Sequence, residues 1–348
     1  MLGGSSITYY IKEVIVKKLS FGFCFVASMV LSGQSSASLL SLNEAVSFNL
    51  ITRGDATLID ADSQGIIAIG GNAIVNHYDV GTLGGTDKTA IQVDGNLNAS
   101  GDQIIKGNAI VGGTYTNSSG SAWDSPIASW CCTISTSGGI NIADTMDELQ
   151  ALSLMLASTP SNTSTSLSYS SLSFTPAEIS SDFYLSDIST AQFNDATDFV
   201  ASSADIFSLD DYLIINVSGV NIDLHSIGFP GYPGTLPNSS NILFNFFEAD
   251  SIALDNGAFY GHILAPSADL RFTKGLITGS IFVDSFYSDA GAQLNSSGSF
   301  DLQMRLVEPE VEVRDVSAPA SIGLFALALI FLARQRKVNL ASMQLRTL

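Results

Sequence analysis

Three kinds of side chain in this sequence have types and spacings that could do chemistry: glycines beside apolar runs, three histidines, and a large excess of carboxylates. "GIIAIGGNAIV" (65–75) and "IIKGNAIVGG" (104–113) each set a Gly-Asn-Ala corner beside a short β-branched run. A phosphate-holding turn needs Gly-x-Gly-x-x-Gly opening a helix, or a loop ending in Gly-Lys-Ser/Thr. Neither pattern is present. "DVGTLGGTDKT" (79–89), a Gly/Thr loop with one Lys, has no helical period after it. The glycines are read instead as corners, because Gly and Asn tolerate the left-handed backbone of tight turns. Gly54, Gly71, Gly95 and Gly107 lie 17, 24 and 12 residues apart, so the repeating units are unequal in length.

The histidines, His77, His225 and His262, are far apart, and neither a Gly-x-Ser-x-Gly elbow nor a His-Glu-x-x-His pair accompanies them. His262, in "YGHILAP", reads as a core or corner residue. A glycosidase needs two carboxylates across a cleft. Asp250, Asp255, Asp269 and Asp284 are candidates by position, but the sequence selects no pair among them. Calcium stays open on so acidic a chain, although neither an EF-hand loop nor the glycine-aspartate nonapeptide occurs. No catalytic, cofactor or metal residues are assigned. Cys131 and Cys132 either form a vicinal disulfide or remain a thiol pair; neither staples a fold.

Charge and hydropathy place these residues outside the cytoplasm. Lys12, Lys17 and Lys18 precede the apolar run 19–31 and the small residues "SGQSSAS", the order of a secretory signal cleaved at Ser36, Ala37 or Ser38. A second apolar run, "IGLFALALIFLA" (322–333), is followed by a basic stop at Arg334, Arg336 and Lys337, which favours a cytoplasmic C-terminus. Between them, residues 39–321 hold seven basic and 32 acidic side chains, a net of −25. Such a surface repels nucleic acid, which needs cations to release its counterions.

The elements that would position any site are mostly short strands. "FNLITRGDATLI" (48–59), "GIIAIGGNAIV", "AIQVDGNLNA" (90–99) and "IIKGNAIVGG" alternate short apolar runs with Gly-Asp or Gly-Asn. Strand patterns return in "DYLIINVSGVNIDL" (211–224), "NILFNFFEADSIAL" (241–254), "AFYGHILAPSADLRF" (258–272) and "GLITGSIFVDSFYS" (275–288). Gly261 and Gly279 occupy matching points 18 residues apart, a coil length that suits a β-solenoid better than a β-sandwich. Residues 141–158 alone have a helical period, with Ile142, Met146, Leu149, Leu152 or Ser153, and Leu156 on one face. Thr145 and Glu148 are read as its capping box, with Pro160 beyond its end. Residues 159–211, rich in Ser, Thr and Asp, predict irregular strands and a variable loop.

Several of these strings, with "YLIINVSG" and "FYGHILAPSADL", stand in the order seen in the choice-of-anchor A family, and residues 45–300 resemble it. The resemblance implies a bacterial adhesive domain, similar to the β-helix of ice-binding adhesins, with a helix alongside and no established catalytic residues. The tail resembles a PEP-CTERM-like sorting signal whose motif is Val316, Ser317, Ala318, Pro319, Ala320 and Ser321, with Ala318-Pro319-Ala320 in place of Pro-Glu-Pro, and eleven residues follow Lys337. The expected organisation is a signal at 1–38, an irregular β-solenoid (β-helix) at 39–301 with one long helix, and a stalk with sorting motif at 302–321. A short hydrophobic helical anchor at 322–333 and a basic tail at 334–348 complete it. The expected function is adhesion without catalysis at the cell surface, outer envelope or extracellular matrix. Its partners would be an extracellular surface or polysaccharide, the membrane through the C-terminal anchor, and an exosortase-like sorting enzyme. A polysaccharide-active β-helix enzyme and an ice-binding adhesin are the competing readings; the sequence lacks regular Thr-x-Thr ladders.

Overall fold

The computed structural model describes residues 45–83, 88–101, 106–118, 133–179, 183–203, 205–225 and 236–297. The first half supplies β1 (Phe48–Thr52), β2 (Ala56–Ser63), β3 (Ile66–Ile69), β4 (Ala73–Val80), β5 (Thr89–Val93), β6 (Leu97–Ser100), β7 (Asn108–Val111), β8 (Tyr115–Asn117) and β9 (Ile134–Ser135). Helix α1 (Ile142–Ser158) follows. Then come β10 (Thr163–Ser168), β11 (Ser171–Pro176), β12 (Phe183–Ser189), α2 (Thr190–Asp195) and β13 (Asp198–Ala201). The second half ends with β14 (Tyr212–Ser218), β15 (Asn221–His225), β16 (Ile242–Asn245), β17 (Ser251–Tyr260), β18 (His262–Thr278) and β19 (Ile281–Asn295).

All pairings in the main sheet are parallel, and the sheet winds into a coil with three faces. On the first face the order is β12, β14, β16, the start of β18, the start of β19, β1, β3, β5, β7 and β9. The second face stacks β15, β17, β18, β19, β2, β4, β6 and β8 through outward–inward alternating stretches such as Thr57-Leu58 and Ile74-Val75. The third is shorter and uses the ends of β17, β18, β19, β2 and β4. The expected solenoid with a helix alongside is therefore present. The coils do not stack in chain order, however. Residues 48–63 lie directly on 281–295, with Leu50 opposite Ile281 and Ala56 opposite Phe286, so the first and last coils meet inside the stack.

Each corner has its own backbone solution. Between the first and second faces, Gly71 N–H bonds to Gly54 O, Gly95 N–H to Gly71 O, and Gly113 N–H to Gly95 O, all at 2.9 Å. A Cβ on Gly71 would lie 2.3 Å from Asp55 Oδ1 and 2.6 Å from Gly54 C. These glycines are not in the left-handed region; Gly71, Gly95 and Gly113 are required because stacked backbones approach too closely for a side chain, whereas at Gly54 the nearest atom to an added Cβ is 3.3 Å away. That corrects the expected reason for them. It also moves Gly107, which has φ +145° and sits at a different corner, before the first face. The structural counterpart of Gly70-Gly71 is Gly112-Gly113, not the Gly-Asn-Ala echo at 107–109. Between the second and third faces, left-handed residues turn successive coils: Asn256, Lys274, Ala290, Asp60, His77 and Gly101.

Helix α1 covers the outside of the first face. Ile142, Met146, Leu149, Leu152, Ser153 and Leu156 are buried, as its periodicity predicts. They pack on Ile51, Ala68, Phe282, Leu264, Leu243, Ile214 and Leu185, which is why first-face strands such as Leu50-Ile51 are apolar on both sides. Its start differs from the expected capping box. Asn141 is the N-cap, its side chain accepting from Asp144 N–H, while Thr145 Oγ1 donates to Asn141 O. The ambiguous stretch 159–211 forms a small sheet, with β10–β11 antiparallel and β11–β13 parallel; between β11 and β13 the chain runs through β12, which joins the main sheet beside β14, and α2. Phe174, Phe193, Phe199, Phe244 and Phe246 bring this sheet onto the β12 end of the stack, with ring centroids 5.2–6.4 Å apart.

Candidate functional site

The broad second face is the surface that the helix leaves uncovered. Its inward column, Ile252, Leu270, Phe286, Ala56, Ala73 and Leu97, belongs to the core. One residue along, the outward column reads Asp223, Ala253, Arg271, Tyr287, Thr57, Ile74, Asn98 and Thr116 in register across eight strands. Neighbouring rungs of such a ladder are ~4.8 Å apart, and side chains two residues apart on a strand share a face. The period-2 alternation that buries one column thus exposes the other as a flat array.

The array has two chemical halves. On β2, β4, β6 and β8 the column Thr57, Ile74, Asn98, Thr116 carries no charge, and Ile74 is 46% exposed. Thr116 Oγ1 donates to Asn98 Oδ1. The edge of this half is a side-chain ladder: Asp55 Oδ1 accepts from Asn72 N–H (2.6 Å) and Nδ2, Asn72 Oδ1 accepts from Asn96 N–H and Nδ2, and Asn96 Oδ1 accepts from Thr114 N–H. The Asn of each corner therefore holds the next rung, fixing the array's spacing. On β17, β18 and β19 the array is charged. Thr273 Oγ1 donates to Asp255, Ser285 Oγ to Asp269, and Tyr287 OH to Asp289. The bond to Asp289 and that carboxylate's charge raise the Tyr287 pKa above its ordinary value. The Arg271 guanidinium stands 5.8 Å over the Tyr287 ring.

The other candidates are dispersed. His262 is buried at the head of β18, its Nδ1 accepting from Ser280 N–H and its Nε2 facing Ser240 O, both at 3.0 Å. This arrangement requires the neutral ring. Burial outweighs the Ser240 bond and lowers its pKa to about 4. His262 is thus a structural pin, as its apolar context predicts. His77 turns an exposed corner 3.7 Å from Asp60, and His225 ends β15. Asp255 and Asp269 lie on the second face, Asp250 in the turn before β17, and Asp284 at the glycine corner, where its backbone O accepts from Gly54 N–H. One acidic pair escaped notice in the sequence: Asp62 and Asp79 occupy neighbouring rungs of the third face. Partial burial, then the Asp79 charge, raises the Asp62 pKa. Only the register between β2 and β4 reveals that pairing. Among the described residues no three His, Cys, Asp or Glu side chains are grouped to hold a metal. Ser36, Ala37 and Ser38, Cys131 and Cys132, residues 316–321, and Arg334, Arg336 and Lys337 lie outside the described residues, as does the apolar run 322–333. Among those described, no helix is long and apolar enough to cross a membrane.

Residues 41–295 match the model of a family described as "Putative Ice-binding-like adhesive domain". No curated protein matches the chain. Solved structures similar to it include an ice-binding protein from the Antarctic ascomycete Antarctomyces psychrotrophicus, at 11% identity, 75% of this chain, 100% of that one and a TM-score of 0.40. The DUF3494 domain of ice-binding protein 1 from Shewanella frigidimarina matches at 14% identity, 74% and 97% coverage and 0.38. An ice-binding protein from an Antarctic biological consortium matches at 14%, 75% and 92%, and 0.36.

Proposed function

The chain belongs to the ice-binding-like adhesive domain family, and from that premise we propose that it is a non-enzymatic adhesive domain whose uncharged half-face docks on a rigid, water-ordering surface, ice foremost. The supporting observation is the in-register, charge-free column Thr57, Ile74, Asn98 and Thr116, spaced by the Asp55–Asn72–Asn96–Thr114 ladder. A rigid array loses little conformational entropy on docking, and an extended surface repays many weak contacts at once. Charged side chains would retain their own hydration shells and hold such a surface off; Asp55, at the edge of this half, turns its Oδ1 into the two bonds from Asn72. The reading is non-catalytic because the outward carboxylates Asp255, Asp269 and Asp289 each accept a neighbouring hydroxyl along a flat ladder, an arrangement that provides no water-excluding cleft for paired acid and base.

The purified full chain should shape growing ice crystals and show thermal hysteresis. The double substitution Thr57→Lys/Asn98→Lys should abolish both while leaving the melting temperature unchanged. Absence of ice shaping at millimolar protein sinks the choice of ice, and measurable cleavage of a glycan sinks the non-enzymatic reading.

Export and tethering belong to the same proposal. The N-terminal signal is removed near Ala37, and the C-terminal run either anchors the chain or is exchanged by an exosortase-like enzyme recognising 316–321. Mass spectrometry of both ends of the mature protein decides. An intact 322–348 leaves a simple membrane anchor, and an intact 1–38 removes the export signal.

A further inference from the structure

The charged half of the second face differs from the uncharged half in a way that surface docking on ice does not explain. From its geometry we infer that it is a binding subsite for neutral, hydroxyl-rich polysaccharide, centred on Arg271 and Tyr287. The inference does not rest on the ice reading, since it uses other rungs and other chemistry.

Two adjacent strands build the subsite. β18 presents Asp269, Arg271 and Thr273, and β19 presents Ser285, Tyr287 and Asp289, paired in that order by register. The result is a grid of three by two side chains, ~4.8 Å between strands and roughly 6.6 Å between alternate residues. At its centre Tyr287 is 37% exposed as a residue, although Arg271 lies over its ring and Asp289 accepts its hydroxyl. Arg271 covers one side of the ring, so the C–H side of a sugar packs on the ring area left open beside it, and the ring's position is fixed at low entropic cost.

The polar groups around the ring are sorted for hydroxyls. A guanidinium carries five N–H donors in a planar fork and ordinarily pairs with a carboxylate when one is near. Here Asp269 and Asp289 flank the Arg271 strand pair, yet Arg271 makes no ion pair among the described residues. Each carboxylate is held instead by one hydroxyl, from Ser285 or Tyr287. A carboxylate has about four lone-pair sites, so most acceptor capacity remains. Fixed donors and fixed acceptors thus alternate beside one ring. A vicinal diol, which both donates and accepts at each oxygen, satisfies both.

Charge selects among polymers. Asp255, Asp269 and Asp289 outnumber Arg271 and Lys274 on these rungs, and the whole chain carries −19. Uronate-bearing or sulfated chains meet net repulsion, whereas uncharged ones do not. The flat grid has no walls to bury a single sugar, so affinity comes from successive units along a chain.

The test is retention of the full chain on microcrystalline cellulose, chitin and agarose, with alginate as the polyanionic comparison. At least one neutral matrix should retain the protein, and alginate should not. Arg271→Ala and Tyr287→Ala should each weaken retention about tenfold, Arg271→Lys should restore little of it because a point charge replaces the fork, and Asn98→Lys, three rungs from Tyr287, should leave it intact. Thermal melts confirm that the variants fold. Failure on every neutral matrix, indifference to both alanine substitutions, or preference for alginate overturns the inference. Glycan retention without ice shaping would overturn only the ice reading.

Discussion

At Gly71 and His262 single atoms decide what a residue is for. The sequence already reads Gly71 as a corner and not a phosphate loop, and the stack supplies the reason: its missing Cβ is space that Asp55 Oδ1 and the Gly54 backbone already occupy. Gly71→Ala should therefore cost about 2 kcal/mol or more through overpacking, read as a lowered melting temperature, while added phosphate leaves the wild-type melt where it was. A phosphate-induced rise would restore the ligand-loop reading. His262 makes the second case. Its folded pKa of about 4 lies below the ~6.5 of an unfolded histidine, so the unfolded chain binds the extra proton. Stability from this residue is complete above about pH 6.5 and is lost as pH falls toward 4, by up to ~3 kcal/mol. Chemical denaturation between roughly pH 5 and 7, above the range where most carboxylates titrate, should show this slope in the wild type and a flatter one in His262→Gln. Equal slopes would remove His262 as the cause.

The elements themselves were unequally legible. Helix α1 could be found because Ile142, Met146, Leu149, Leu152 and Leu156 repeat at the helical period, and that face alone is buried. Its docking could not, because the residues that grip it are far away in sequence. The outward first-face column is apolar through Leu264, Phe282, Ile51 and Ala68 and polar at each end. Asn245 and Asn216 donate to Ser153 O and Leu156 O at one end of the helix, and Gln92 exchanges hydrogen bonds with the Ile140 backbone at the other. These polar pegs fix both ends; Leu156 O, in the last turn where carbonyls lack an i+4 partner, accepts from Asn216 as well as from Thr159 N–H. Asn245→Ala should cost ~1–3 kcal/mol, since Ser153 Oγ, which donates to Asn245 Oδ1, and the Asn216 amide oxygen are left buried without it. Faster hydrogen exchange should be confined to 142–158; exchange that rises evenly across the stack would mean that the Asn only packs. The corners divide in the same way. Gly54, Gly71 and Gly95 announce themselves by type, whereas Asp60, His77, Lys274 and Ala290 turn the chain from left-handed conformations that such residues seldom signal.

For the whole molecule the decisive fact is where the chain's two halves meet. Coils 48–63 and 281–295 pair over some 230 residues of separation, and no local pattern in either strand names the other. Periodicity could therefore reveal that coils exist but not their order. The flat second face inherits this arrangement: its uncharged half comes from the first 117 residues and its charged half mainly from residues after 250, joined where Tyr287 stands beside Thr57. The seam is thus both the mechanical joint of the stack and the border between two surface chemistries. A joint of continuous strand pairing and shared core predicts one cooperative unfolding unit instead of two. Phe286, buried opposite Ala56, tests it. Phe286→Ala should destabilise the protein by ~3–5 kcal/mol through the cavity it leaves. Because the halves share that core, protection from hydrogen exchange at 66–80 and at 242–254 should fall together, and the thermal transition should remain single. Loss confined to one half, or a melt that splits in two, would show that the halves fold independently and merely abut. The continuous face would then be two separate surfaces.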